Sequence, residues 1–501
     1  MGRWPVRSPN LWLALAFLVP NLGALRCGFV FDDIVLIVEN EALHGLDALA
    51  QVWTHGYWPD RGGLVLYRPV VQGVWAILWV AGDGSPLPFH LLNLALGLSC
   101  VLLLHGLARR WLEPGTAFAA AFLFALLPIH TEATTSVVGS SELLAATFAL
   151  ASLTLFAGAV DDAQRWGAAR RIGALLLFAL ALLSKESAAA FLGIAALLGL
   201  SRRTPRELLS RFWPDAIGAS LALVAVVAAR EFVAVGGEPG VPVLDNPTYS
   251  VDPLRRVLSA LWVQVLYLSK TIAPITLSAD YSYDQIPVVR GLADPRAWLG
   301  IALFTCAAFA AALSRAWRPG VLIWATLLLP TSNLLFPIGT IMGERLAFAP
   351  SAGVALIAAS LGRRYLRGRA ALALLAVVAL VYGARTLVRN LDWVDGRAFH
   401  SALAESSPRS ARAQFGFGTQ LAADARDLEA VAAYDRALAI LPAYPAALHN
   451  RGNALARLGR NEEAMASYRA CLEYQPGHYG ARYNLQRLEQ GLPANPPRRM
   501  N

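Results

Sequence analysis

The feature that most constrains this chain is a regular alternation of long apolar runs and short arginine-bearing loops. Apolar runs recur from about residue 10 to residue 388, and about 20 apolar residues in a helix cross a bilayer's hydrocarbon core. The runs predict helices near 10–26, 88–108, 115–131, 140–160, 171–184, 188–201, 214–231, 297–316, 320–336, 346–362 and 369–388. Arg3 and Arg7 precede the first helix, Arg109 and Arg110 follow the second, and Arg165, Arg170 and Arg171 follow the fourth. Arg202, Arg203, Arg206 and Arg211 follow the sixth, Arg315 and Arg318 the eighth, and Arg363, Arg364, Arg367 and Arg369 the tenth. Every second loop is basic, and the positive-inside rule puts that set in the cytoplasm and the other set outside. The expected fold is all-α, a polytopic membrane bundle of about eleven spanning helices. The stretches Val65–Ala81 and Val257–Ile275 break the alternation as full spans and are expected to lie on, or dip into, the outer face. No small-residue cleavage site follows the first run, so a retained helix is expected rather than a signal peptide.

Composition agrees with a membrane protein. The chain is 56% hydrophobic and 15% charged, against roughly 25% charged in soluble proteins. The net charge of +9 is spread over inter-helix loops instead of one soluble face, which argues against nucleic acid as a partner. Cys27, Cys100, Cys306 and Cys471 are too scattered for a disulfide framework, and they read as small hydrophobes. No His, Cys, Asp and Glu set has metal-ligand spacing, so no metal ligands are assigned and the metal requirement stays open.

From about Ser410 the chain turns to alanine-rich soluble helices with a 34-residue period. Gly418, Ala430, Tyr434, Ala437 and Pro442 recur as Gly452, Ala464, Tyr468, Cys471 and Pro476. Small residues let two antiparallel helices approach, the Tyr fills the space between them, and Pro ends the second. This is the pattern of a tetratricopeptide repeat. The expected organisation is a membrane domain over 1–390, a linker over 391–409, two repeats plus a capping helix over 410–490, and a disordered tail over 491–501.

The outward loops hold most of the ionisable residues that are not cytoplasmic arginines. Asp32 and Asp33 stand just beyond the first apolar run, and acids at a membrane edge are costly unless wet or paired. His130 and Glu132 close the third helix, and Glu142 opens the fourth. Lys185 and Glu186 join the fifth and sixth, while Asp280, Tyr281, Glu344 and Arg345 lie in later outer loops. The only lysines, Lys185 and Lys270, both fall on the outer side. Paired acids can take a proton from a hydroxyl. Lys185, Arg68 and Arg345 can bind a phosphate and stabilise it as it leaves. The phosphate would belong to a lipid, because the site sits at the lipid–water boundary.

The series Asp32-Asp33 with Asn40, Tyr67-Arg68-Pro69, His90-x-x-Asn93, Pro128-x-His130-x-Glu132, Ser184-Lys185-Glu186, Asp280-Tyr281-Ser282, Pro330-Thr331-Ser332-Asn333 and Glu344-Arg345, followed by the repeats, resembles the transmembrane and tetratricopeptide-repeat-containing O-mannosyltransferases. These are GT-C class glycosyltransferases. The resemblance implies a polyprenyl- or dolichyl-phosphate sugar as donor substrate; no cofactor is assigned, and the metal requirement stays open. It also implies inverting transfer, typically of mannose, to a Ser or Thr hydroxyl of a protein acceptor. An acid of the first outer loop acts as base in such enzymes; Asp32 and Asp33 both match, and the choice stays open. The chain departs from the family by having few repeats. It also has Gly139-Ser140-Ser141 before Glu142, where an arginine is expected. The arginine-rich, lysine-poor composition suggests a bacterial inner membrane with the site and repeats on the periplasmic side. A transporter, a non-catalytic repeat scaffold and a GT-C transferase acting on a lipid or glycan are the alternatives.

Overall fold

In the computed structural model the described residues are 8–59, 66–162, 167–233, 243–366 and 368–494. Arg3, Arg7, Arg165, Arg367, Val65 and the tail from 495 lie outside them. Among the described residues the regular structure is helical, with no strand. The N-terminal part holds α1 (Pro9–Asn21), α2 (Ala48–Gln51), α3 (Pro69–Gly82), α4 (Leu87–Ala108), α5 (Pro114–Leu126), α6 (Thr131–Thr135) and α7 (Ser140–Asp161). There follow α8 (Ala168–Ser184), α9 (Phe191–Leu200), α10 (Pro205–Val233), α11 (Pro253–Ile272) and α12 (Pro295–Leu313), then α13 (Arg318–Leu328), α14 (Ser351–Tyr365) and α15 (Arg369–Leu391). The C-terminal part comprises α16 (Gly396–Ser406), α17 (Ala411–Ala423), α18 (Asp427–Ile440), α19 (Pro445–Arg457), α20 (Asn461–Tyr474) and α21 (Tyr479–Glu489).

Helix starts follow local chemistry. Proline opens α3, α5, α11, α12 and α19, where its missing N–H costs nothing and its fixed φ suits the first turn. Asp252, Asp294 and Asp395 cap α11, α12 and α16 by accepting the N–H groups of Arg255, Arg296 and Ala398. Pro128 ends α5, because the residue before a proline is pushed out of the helical region. Beyond it the chain bends by 52° into the Pro128–Thr135 segment.

Each of the eleven predicted apolar runs contains a helix, with shifted ends. Five helices among the described residues are long and apolar enough to cross a membrane, or six if the bent pair counts as one span. They include α4, α10, α12 and α15. Several of the others are short: α9 has 10 residues and α13 has 11. The stretch around Val65–Ala81 becomes α3, whose Trp75 is fully buried, and the stretch around Val257–Ile275 becomes the 20-residue α11. Where α13 crosses α14, a Cβ on Gly353 would stand 2.3 Å from the Gly320 carbonyl oxygen. Backbones meet that closely only where side chains are absent.

Two ends are distinguishable. At one, Arg110 pairs with Asp161, Arg202 donates to the Arg110 carbonyl, Arg203 donates to the Val160 carbonyl at 2.9 Å, and Arg363 pairs with Glu113. These are the basic loops. The other end carries the polar cluster described below.

The repeat helices pack as the period requires. A Cβ on Gly418 would lie 2.8 Å from the Tyr434 ring and one on Gly452 2.5 Å from the Tyr468 ring, so each tyrosine fills the space its glycine leaves. The segment 391–409, expected as a linker, is instead ordered: α16 buries Phe399 and Leu403 against Trp393, Cys27 and Val30.

Candidate functional site

Phe31 sits in the left-handed region with φ 56°, a costly conformation for a bulky residue. Its ring packs at 5.2 Å on that of Phe399, which fixes the turn. The turn sends the two aspartates that follow into different surroundings. Asp33 is fully buried and accepts backbone N–H groups from Val138 at 2.9 Å, Val30 at 3.2 Å and Val137 at 3.4 Å, with Ser136 Oγ at 3.4 Å. Burial pushes its carboxyl up to about 7, against the downward pull of those donors. Asp33 thus pins the first loop to the chain between α6 and α7. Asp32 has a 19% exposed side chain, and its Oδ2 lies 3.3 Å from both terminal nitrogens of Arg345.

Arg345 is the hub. Its backbone N–H donates to Glu132 Oε2 at 2.9 Å, and its Nε lies 3.5 Å from Glu132 Oε1. Two further ion pairs lie nearby. Arg68 grips Glu186 with two bonds, at 2.8 and 3.2 Å, and its guanidinium covers the Tyr57 ring at 4.8 Å. Lys185 pairs with Glu142 in the interior. Lys185 is within electrostatic reach of Arg68, Glu186 and Arg345, and Tyr57 within reach of Arg68, Arg345 and Asp32. Asp32, Glu132, Glu142, Lys185, Glu186, Arg68 and Arg345 therefore form one cluster. Its most open members are Glu186 (49%), Arg345 (29%) and Asp32 (19%).

Not every expected residue joins the cluster. His130 turns into the core, between the rings of Phe124 and Phe348 at 4.6 Å each, with Nε2 2.8 Å from Ser351 Oγ. Glu344 is fully buried, accepts from Tyr281 Oη at 2.5 Å and Ser278 N at 2.7 Å, and faces Arg389 at 4.0 Å. Burial pushes its carboxyl up, opposed by Arg389. Glu344 and Tyr281 thus brace the loop that carries Arg345. Asp280 points toward the repeats: Ser282 and Ser410 each donate to its Oδ2 at 2.6 Å, and Ser407 donates to its carbonyl at 2.7 Å. His90 and Asn93 bond the carbonyls of Cys27 at 2.9 Å and Ser136 at 2.8 Å, holding the backbone around Asp33.

Ahead of Glu142 there is no room for a long side chain. A Cβ on Gly139 would lie 2.2 Å from the Ala133 carbonyl oxygen, and Ser140 Oγ accepts from Trp75 Nε1 at 2.8 Å. Tyr57 and Arg389 belong to the site's surroundings but were not singled out in the sequence. Arg389 carried a usable signal, as an arginine at the end of a span away from the basic loops; Tyr57 carried none.

The comparisons with known proteins bear on this arrangement. The family model "Protein O-mannosyl-transferase TMTC, DUF1736" matches residues 236–308, and "Dolichyl-phosphate-mannose-protein mannosyltransferase" matches 73–229. A tetratricopeptide-repeat model matches 445–478. A protein O-mannosyl-transferase of Caenorhabditis elegans is 26% identical over 88% of this chain and 63% of its own length. The chain resembles the protein O-mannosyl-transferases of the TMTC type. Two Drosophila melanogaster relatives of that name extend the likeness. Tmtc3 is 27% identical over 86% of this chain and 55% of its own length, and Tmtc2 is 31% identical over 56% and 31%. This chain spans less than two thirds of these TMTC relatives. The crystal structure of the Archaeoglobus fulgidus oligosaccharyltransferase in the apo form overlaps 77% of this chain and 56% of its own at 14% identity, with a TM-score of 0.35.

Proposed function

We propose that this protein is a membrane glycosyltransferase that moves a sugar, mannose by analogy with the TMTC relatives, from a polyprenyl- or dolichyl-phosphate donor to Ser or Thr hydroxyls of proteins. The observation that carries the reading is the half-open pair of Asp32 and Arg345, which sets a carboxylate against a cation at 3.3 Å beside two further cations. In this reading Asp32 is the base. It takes the acceptor hydroxyl's proton as the oxygen forms a bond to the anomeric carbon. The bond from that carbon to the lipid phosphate breaks with inversion. Arg345, the most exposed of the three cations, meets the departing phosphate first, and Arg68 and Lys185 add positive charge behind it. Glu132, Glu142 and Glu186 hold those cations until the phosphate arrives. No further cofactor enters the scheme.

The same reading places about eleven crossings in a bacterial inner membrane, with shorter helices completing spans in pairs or at a tilt. The polar cluster and the repeats then face away from the arginine-rich loops, on the periplasmic side. The boundaries 1–390 and 410–490 separate the transferase from the repeats, which hold the acceptor.

The test is the pair Asp32→Asn and Asp33→Asn, assayed by mass spectrometry of protein and lipid products from membranes. Asp32→Asn is expected to abolish transfer while folding normally. Asp33→Asn is expected to lower the melting temperature first, since its amide nitrogen would face backbone N–H groups that now donate to both carboxyl oxygens, and a buried donor left unsatisfied costs about 1–3 kcal/mol. Full transfer by Asp32→Asn overturns the assignment of the base, and sugar found only on lipid overturns the protein acceptor.

A further inference from the structure

Helices α14 and α15 follow one another in the chain and both pack on α5, but their other neighbours differ, α13 for α14 and α1 for α15. Between α5, α14 and α15 they leave a hollow of about 850 Å³, lined by residues such as Ala119, Leu123, Ala358, Leu374, Leu375 and Val378. That volume lies within the ~300–1,000 Å³ range of sites for small ligands. Small side chains create it: a Cβ added to Gly362, on its wall, would meet no atom within 4 Å.

The ends of the hollow differ. At one end Tyr382, on the wall, donates from Oη to the Ile272 carbonyl at 2.5 Å, and one turn on Arg385 Nε donates to the Pro274 carbonyl at 3.0 Å, so polar groups bridge α15 to the end of α11 there. At the other end Arg363 lines the mouth, paired with Glu113 and half exposed. Arg364 and Arg369 stand exposed on either side of the same turn. An apolar slot bridged by polar groups at one end and rimmed by arginines at the other suits a ligand with long hydrocarbon chains and a negative head.

We propose that this hollow binds an anionic phospholipid, with its acyl chains between α5, α14 and α15 and its phosphate on Arg363, Arg364 and Arg369. Basic pockets between membrane helices recognise such headgroups by charge. The site is distinct from the donor site. Glu132 and Arg345 lie beyond the far ends of α5 and α14, and α14 has 15 residues, about 22 Å at 1.5 Å per residue. The inference rests on the helices spanning a membrane and is independent of the transferase reading.

The experiment is native mass spectrometry of the full chain purified in detergent and incubated with phosphatidylglycerol or phosphatidylcholine of identical acyl chains. One phosphatidylglycerol is expected to stay bound under activation that strips phosphatidylcholine. Replacing Arg364 or Arg369 by Gln is expected to lower its occupancy about fivefold per arginine. Gly362→Leu is expected to remove it by filling the slot, with an unchanged melting temperature as control. Equal retention of the two lipids, or of neither, overturns the proposal, and needs no variant. Phosphatidylglycerol retained in full by a folded Gly362→Leu protein also overturns it, because the lipid would then sit elsewhere.

Discussion

At the scale of single residues, the site is a set of charges kept in place by other charges. Glu344 has no exposed surface, and Arg389 is its cation at 4.0 Å. Removing one partner of a buried pair strands the other, at a cost of about 3–5 kcal/mol. Arg389→Met is therefore expected to lower the melting temperature sharply in detergent. Adding Glu344→Gln to that variant is expected to recover part of the loss, and a double-mutant cycle would measure the coupling. The residue scale is also where the sequence was least legible. Asp32 and Asp33 are adjacent in the chain, yet a left-handed Phe31 just before them sends one toward Arg345 and the other into backbone N–H groups. Nothing in a string of letters distinguishes them. The partners of Arg345, at Asp32 and Glu132, are 313 and 213 positions away in the chain, so proximity had to come from the fold.

At the scale of elements, legibility was far better, because periodicity is a local property. The apolar runs became helices, and the 34-residue recurrence became helix pairs in which Tyr434 and Tyr468 sit over Gly418 and Gly452. Gly452→Ala would push a methyl to 2.5 Å from the Tyr468 ring, and overpacking of this kind costs about 1–3 kcal/mol. Hydrogen exchange in α19 and α20 is expected to speed up while the bundle is unchanged. The repeats should also respond to pH through His449 on α19, whose ring lies 4.6 Å from that of His478. Burial, then the neighbouring His478, holds the His449 imidazole down at about 4, below its usual 6.5. The unfolded chain therefore takes up this proton first as pH falls, and stability is lost between about 6.5 and 4 and regained above. His449→Gln is expected to flatten that dependence when exchange in α19–α21 is followed across the window. The helix pattern missed the bend at Pro128, and it missed α16 within 391–409, read as a linker. Phe399 and Leu403 there were too few to signal a helix with a buried face.

At the scale of the whole molecule, the repeats are joined to the site by more than the chain. Asp280 takes hydroxyls from Ser282 and Ser410, Arg412 pairs with Asp245, and the Ala411 N–H donates to the Tyr283 carbonyl at 2.8 Å. Asp280→Ala with Ser410→Val is expected to loosen this junction and release the repeats as a discrete fragment in limited proteolysis, leaving the bundle intact. Retained resistance would mean that α16, with the Arg412–Asp245 and Ala411–Tyr283 contacts, is enough to hold the junction.

The first loop is closed from the far side of the sequence. Gly28 N–H donates to the Val394 carbonyl at 2.9 Å, and the Asn390 side chain bridges the Pro20 carbonyl and Thr135. During synthesis, then, the segment bearing Asp32 is made early but gains this clasp late. Its bonds to Asn390 and Val394 wait for some 360 later residues, while His90, Val137 and Val138 hold it from nearer in the chain. A ribosome stalled before Asn390 would leave Asp32 on a loop clasped from one side only.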